Sequence, residues 1–264
     1  MADEPVLLDV SPEGVAVVRI NRPDKRNAFD ESVITGLADA FETLKGADHV
    51  RVVLLRGAGE HFSAGADLEW MKRQGARDRA DNEADALDLA RMLKALHDLP
   101  QLTVALVQGA AMGGGAGLVA ACDVGVALKS ASFRFSEVRL GLTPATISPY
   151  VIEAIGPRWA KALFATAETF DGAYAEKIGL TQYTVETAQE LDEMAEYLCK
   201  ITLQNAPGAV ADAKKLVRDV AGQKTDDHLL RETARRIAAR RASEEGKEGV
   251  AAFLERRKAS WDVG

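Results

Sequence analysis

The chain has 264 residues, enough to bury a large core in one domain or in one domain with an appendage. With 47% hydrophobic and 28% charged residues it is neither disordered nor fibrous, and no apolar run reaches the roughly 20 residues of a membrane helix. A formal charge of -7 argues against nucleic acid as the main partner, which would want a clustered basic face, but leaves room for one basic pocket around a small anion.

The opening Met1-Ala2-Asp3-Glu4-Pro5 is acidic and polar, unlike a secretory or transit sequence, and predicts a cytosolic protein. Residues 6–9 and 15–20 read as a β-hairpin across the turn Ser11-Pro12-Glu13-Gly14. Asn21-Arg22-Pro23-Asp24 is a second break. Asp30 then caps a helix to about Leu44, with Ile34, Leu37, Phe41 and Leu44 at helical spacing. Val52-Val53-Leu54-Leu55 is a continuous apolar run that reads as a buried parallel strand. A helix over 81–97, a strand over 103–107, a glycine cluster over 109–117, an apolar helical stretch through Cys122 and a strand over 124–128 follow. This alternation implies an α/β fold of stacked βαβ or ββα units.

Beyond Pro144 the pattern predicts almost only helix: 147–155, 157–166, 172–178, 187–203, 207–220, 226–242 and a short terminal helix over 247–259. The break at Asn205-Ala206-Pro207-Gly208 divides the chain into 1–204 and a helical region, 205–264. Charges alternating in sign along that region suggest solvated helix faces. Cys122 and Cys199 are too few and too far apart for a zinc cluster or a CxxC motif, and the four histidines make no ligand pair, so no metal is expected.

Two turns share one design. Phe62-Ser63-Ala64-Gly65-Ala66-Asp67 follows the strand ending at Leu55, and Gly109-Ala110-Ala111-Met112-Gly113-Gly114-Gly115-Ala116-Gly117 follows the strand ending at Val107. Small residues where a strand hands over to a helix let a ligand approach unpaired N–H groups, which suit a phosphate or an oxyanion. A dinucleotide fingerprint fails at Leu118, where the third glycine should stand, and neither a Walker A sequence nor a Gly-x-Ser-x-Gly elbow occurs. The glycines alone leave two readings open: an anion cradle, or only tight helix packing.

Asn21-Arg22-Pro23…Asn27-Ala28, Phe62-Ser63-Ala64-Gly65-Ala66-Asp67-Leu68, Gly113-Gly114-Gly115…Cys122-Asp123, Phe135-Ser136-Glu137-Val138…Leu140-Gly141-Leu142…Pro144 and the terminal Ala252-Phe253-Leu254-Glu255-Arg256-Arg257-Lys258 together resemble the crotonase (enoyl-CoA hydratase/isomerase) superfamily, in order and at matching separation. The resemblance implies a spiral of repeated ββα units with a helical C-terminal trimerisation region. Residues 1–204 would form the acyl-CoA-binding core, and the assembly would be a homotrimer or homohexamer. It also implies an acyl-CoA substrate whose thioester oxygen lies between the N–H groups of Ala66 and Gly114, with coenzyme A part of the substrate and no separate cofactor. Lys25, Arg26, Ala28 and Ala64 fall where the family holds the CoA nucleotide from the loop after the hairpin, with Leu68 in the adjoining motif. Phe253 and Lys258 fall where it does so from the terminal helix. Asp67 has a second role open to it, capping the next helix. Trp70 and Met71 border the expected acyl pocket or simply pack.

The sequence departs from the family's hydratases at one place. Of their two glutamates, the first position is Gly117 here and the second is Glu137. A single carboxylate is the pattern of an enoyl-CoA isomerase. Yet Gly-Gly-Gly-Ala-Gly-Leu-Val and residues 136–150 are similar to a bacterial subgroup assigned to hydration of 3-methylglutaconyl-CoA, in leucine breakdown, or of carboxygeranoyl-CoA, and that subgroup also carries glycine at this position. The expectation is therefore a hydratase using Glu137 as base and then acid, with water held by the substrate's own carboxylate, Thr143 or Ser148. The alternatives are an isomerase and a catalytically weak acyl-CoA binder.

Overall fold

The computed structural model describes residues 4–262; Met1-Ala2-Asp3 of the acidic opening and the last two residues lie outside the described residues. Val6–Val10 (β1) and Val15–Ile20 (β2) form the antiparallel hairpin. After a one-turn helix at Pro23–Lys25 comes Glu31–Lys45 (α1), whose first N–H groups, those of Ser32 and Val33, bond to the Asp30 carboxylate as the sequence predicts. Val52–Gly57 (β3), Leu68–Gln74 (α2), Arg79–His97 (α3) and Leu102–Val107 (β4) follow.

The glycine cluster is not one loop. Ala110–Met112 (β5) is a short strand, and Gly114–Ala121 (α4) starts immediately after it. Val124–Leu128 (β6) and Ser132–Arg134 (β7) repeat this long-then-short pairing. Strands β1-β2-β3-β4-β6 and a later β9 make a six-stranded sheet, parallel apart from β1, while β5, β7 and a later β8 make a small second sheet. Two successive units, β4 with β5 and β6 with β7, thus give a long strand to one sheet and a short one to the other, as a spiral of ββα units does.

The segment beyond Pro144 carries strand as well as helix. Ser148–Thr166 (α5), broken at Gly156 with φ 72°, accounts for the two predicted helices there. Phe170–Asp171 (β8) and Tyr183–Val185 (β9) flank Gly172–Ile178 (α6). Strands of two or three residues are too short to show a period-2 pattern; they exist because β7 and β6 offer open edges for them. Ala188–Leu203 (α7), Pro207–Val220 (α8), Asp227–Ala242 (α9) and Glu244–Glu255 (α10) complete the chain. The terminal helix starts three residues before the predicted 247 because the Ser243 side chain accepts from Gly246 N, and it ends before 259 because Arg256 turns left-handed at φ 56°.

The large sheet is buried on both faces. Val53, Leu55, Ala105 and Val107 point into a core shared with α1, α3, α4 and α5. Their neighbours Val52, Leu54, Val104 and Leu106 pack beneath α7 against Leu191, Leu198 and Cys199. This explains the unbroken apolar runs in the sequence. The helices α8 and α9, by contrast, bury no residue within this chain. Of the two, α8 is tied to the strand starts, where Lys214 lies 2.6 Å from Asp123 and donates to Leu99 O at 2.7 Å, and α9 is tied to α8 through Arg236 and Asp219 at 2.7 Å. Among the described residues no helix is long and apolar enough to cross a membrane, and no group of three or more His, Cys, Asp or Glu could hold a metal ion.

Candidate active site

Both small-residue turns lie at the C-terminal ends of neighbouring parallel strands, β3 and β4, which is where α/β sheets open to ligands. The first turn is fastened to the loop after the hairpin. Phe29 N donates to Gly65 O and Asp67 N to Phe29 O, both at 2.7 Å, and Ala64 N donates to Arg26 O at 2.9 Å. Beneath it the fully buried Asn27 donates to Ala58 O (2.8 Å) and His61 O (2.7 Å) and accepts from Arg22 N (2.9 Å). The second turn is sewn to the first: Ser63 N donates to Ala110 O and Met112 N to Ser63 O, each at 2.9 Å.

Fastened on either side, the turns leave two donors unused. Among the described residues neither Ala66 N–H nor Gly114 N–H bonds to an acceptor. Gly114 is the first residue of α4, so its N–H is one of the orphan donors of a helix start. It follows Gly113, whose φ 49° and ψ -116° only glycine adopts without strain. These are the two N–H groups that the resemblance implies for a thioester oxygen.

Glu137 opens a one-turn helix, Glu137–Leu140, that lies against the second turn. A methyl group added at Gly113 would stand 3.2 Å from Glu137 Oε1. Oε2 is buried and has no hydrogen-bond partner among the described residues. Burial pushes the Glu137 carboxyl above the usual range, opposed only by its own backbone N–H. A carboxyl that is ready to hold a proton therefore sits beside the Gly114 donor. Such a pair can move a proton at a carbon next to a carbonyl while the N–H groups take up the charge on oxygen.

The other predicted residues fall into two sets. Near the turns, Asp67 caps α2, accepting from Glu69 N (2.9 Å) and Trp70 N (3.2 Å), and pairs with Arg22 (3.2 Å) and Lys25 (3.5 Å). Burial alone would raise its carboxyl, but those N–H groups and the two cations outweigh burial and hold it below the usual range. The helix-capping role is thus filled. Lys25 and Arg26 are exposed, Ala28 is buried, Ala64 is half-buried and Leu68 is 80% exposed. Trp70 packs against the main core with its Nε1 buried and unpartnered, and Met71 lies beside it half-buried. Thr143 is exposed, while the Ser148 hydroxyl donates to Ala145 O at 2.8 Å.

Phe253 and Lys258 belong to the other set. Phe253 is 82% exposed on α10. That helix is fastened through Gly249 and Trp261 to Gln204 and to Arg51, at the start of β3, so it lies at the opposite end of the sheet from the turns. One chain does not bring the two sets together. Three residues without a predicted role complete the site: Arg22 and Asn27, which brace the first turn, and Ile147, which packs against Gly117. Arg22 and Asn27 stand in a quoted motif, so their presence was visible and their bonds were not.

The sequence profile of the family described as Enoyl-CoA hydratase/isomerase matches residues 11–263. The crotonyl-CoA hydratase of Syntrophomonas wolfei is 31% identical over 264 residues, covering 99% of each chain. Among solved structures, an enoyl-CoA hydratase from Shewanella pealeana is 40% identical with a TM-score of 0.94, covering 97% of this chain and 96% of that one. Pseudomonas aeruginosa AtuE is 34% identical with a TM-score of 0.93, covering 98% of this chain and 100% of that one.

Proposed function

This chain belongs to the enoyl-CoA hydratase/isomerase (crotonase) family, and from that premise we propose that it is an enoyl-CoA hydratase, a hydro-lyase adding water reversibly across the double bond of a 2-enoyl-CoA. The observation that carries this reading is the half-buried Glu137 carboxyl, its Oε2 out of solvent, beside the Gly113–Gly114 turn. The thioester oxygen accepts from Ala66 N–H and Gly114 N–H. Ionised Glu137 takes a proton from water as the water oxygen bonds to C3, and the π electrons move onto the thioester as an enolate. Protonated Glu137 then returns a proton to C2, which restores the carbonyl and the free carboxylate. Each backbone donor stabilises the enolate by about 3 kcal/mol. The raised affinity of Glu137 for a proton suits a group that must both take one and give one.

The acyl group we assign is 3-methylglutaconyl or a related branched chain, on the likeness of residues 136–150 to that bacterial subgroup. Lys25, Arg26, Ala28 and Ala64 hold the CoA nucleotide, with Leu68 and the capped Asp67 at the mouth of the site. Phe253 and Lys258 reach such a site only from a neighbouring copy, because α10 is fastened at the far end of its own sheet. Residues 205–264 then serve as the assembly region of a homotrimer or homohexamer beside the core of 1–204, in the cytoplasm. Gly117 favours a second reading, a Δ3,Δ2-enoyl-CoA isomerase in which Glu137 carries a proton from C2 to C4 of the substrate.

The test is turnover of crotonyl-CoA, 3-methylglutaconyl-CoA and a 3-enoyl-CoA, following the conjugated thioester absorbance and identifying products. Hydration of 3-methylglutaconyl-CoA is expected. Hydration of none removes the reading, and conversion of the 3-enoyl ester alone replaces it with the isomerase. Glu137→Gln should lower kcat by about 10² to 10⁴-fold while CoA esters still bind. Near-normal turnover in that variant would remove Glu137 from its role.

A further inference from the structure

Gly117 lies on α4 one turn beyond Gly113, and Gly117 N donates to Gly113 O at 3.0 Å. Side chains on a helix lean toward its N-terminus, so a side chain at 117 would project over Gly113 and toward the Glu137 carboxyl that stands beside it. That space is taken. A Cβ at position 117 would meet Ile147 Cγ2 at 2.2 Å and Ile147 Cβ at 2.8 Å. Ile147 is 2% exposed and precedes the first turn of α5, the helix that packs along α4. It cannot swing away without opening the main core.

We infer that Ile147 is a positioning residue of this site: it fills the space in front of Gly117, so that a second carboxylate cannot be placed there and Glu137 is left as the proton-transfer group. The inference rests on the hydratase reading for its chemistry but not for its sterics. Glycine at 117 is then more than one missing carboxylate, because restoring glutamate there without changing Ile147 drives its stem into a buried side chain. The charged side chains nearest in sequence are Arg134 on β7 and Arg139 on the Glu137 turn, and among the described residues Glu137 Oε2 and Arg134 Nε are both left without a partner. Water entering the site therefore has one protein base to meet.

The experiment is a double-mutant cycle between Gly117→Glu and Ile147→Gly; glycine is chosen because even the Ile147 Cβ is too close. Gly117→Glu alone should lower the Tm by roughly 3–10 °C, as overpacking does, and the same substitution in the Ile147→Gly background should lower it by less than half as much. Equal shifts in both backgrounds overturn the inference. If the Ile147→Gly protein does not fold, Gly117→Ala is compared in the unsubstituted and Ile147→Ala backgrounds: alanine removes the 2.2 Å contact with Cγ2 but keeps the 2.8 Å contact with Cβ, so the Tm shift should shrink without vanishing, and equal shifts overturn the inference. The second readout is the pH profile of kcat/KM for hydration. The unsubstituted enzyme should show one carboxylate limb, rising with pH, and the double variant should gain a second, falling limb as a protonated carboxyl becomes part of the site. A bell with two carboxylate limbs in the unsubstituted enzyme overturns the inference. Absence of hydration in every protein removes the hydratase reading, while the Tm cycle still decides the role of Ile147.

Discussion

The two turns at the heads of β3 and β4 reach the same result, one free N–H each, by different physics. The first, at residues 62–67, is held by polar bonds: Asn27 beneath it, Arg22 across to Asp67 and Asp30, and the Phe29 backbone alongside. The second, at residues 112–117, has backbone bonds from Met112 N to Ser63 O and from Gly113 N to Arg134 O, but among the described residues no side-chain brace; close contact does the rest. Gly114, Gly115 and Gly117 lie against Phe29, Ser63 and Ile147 with no room for a methyl group, and Gly113 lies tightly against Glu137. A preformed donor needs a rigid turn, and a turn is made rigid either by satisfying every other polar group or by leaving it no free volume. The two methods fail in different ways, so they can be told apart.

The largest effect is expected at the second turn. Gly113→Ala adds a methyl group 3.2 Å from Glu137 Oε1 and forces an L-residue into φ 49°, so kcat/KM should fall by about 10² to 10³-fold, the scale of losing one oxyanion donor. A loss below about threefold would mean that this turn is not set by contact. At the first turn the corresponding blow is the loss of bonds. Asn27→Ala empties a fully buried position and strips partners from the carbonyls of Ala58 and His61, and should cost about 2–4 kcal/mol in urea unfolding, whereas a cost under 0.5 kcal/mol would sink the polar account.

The smallest effects are the most discriminating, because one carboxylate stands at each turn, Asp67 within the first and Glu137 against the second, and the two are displaced in opposite directions. Asp67, below its usual range, contributes stability that is present at neutral pH and is lost as pH falls through its folded value, beneath about pH 4. Asp67→Asn keeps the cap oxygen but loses the charge, so it should cost about 1 kcal/mol at pH 7 and flatten the acid slope. Glu137, above its usual range, behaves in reverse: it favours the fold when protonated, and that contribution is lost as pH rises through its folded value. Glu137→Gln should therefore raise the Tm at pH 8 while abolishing turnover. A lowered Tm there would show that the carboxylate has a partner.

The chain-order reading reached the hairpin, the Asp30 cap, the parallel strands and the long helices, because those features rest on local patterns of apolar spacing and capping. It missed β5, β7, β8 and β9, which are two or three residues long and owe their form to a neighbouring strand rather than to their own composition. The same divide runs through the site. Ala66, Gly114 and Glu137 could be located by motif order, whereas the bracing by Arg22 and Asn27 depends on segments more than 30 residues apart.

Gly117 marks the boundary between the two kinds of knowledge. By itself the sequence determined that one carboxylate is absent and that two small-residue turns follow parallel strands, since residue identity and spacing are all those statements need. Only the tertiary structure decided that the vacant position is occupied by Ile147, that the turns are sewn to each other, and that Phe253 lies away from Lys25 within one chain. Those facts depend on which surfaces meet when the helices close over the sheet. That meeting is a matter of packed volume and shared hydrogen bonds between distant segments, which no local pattern records.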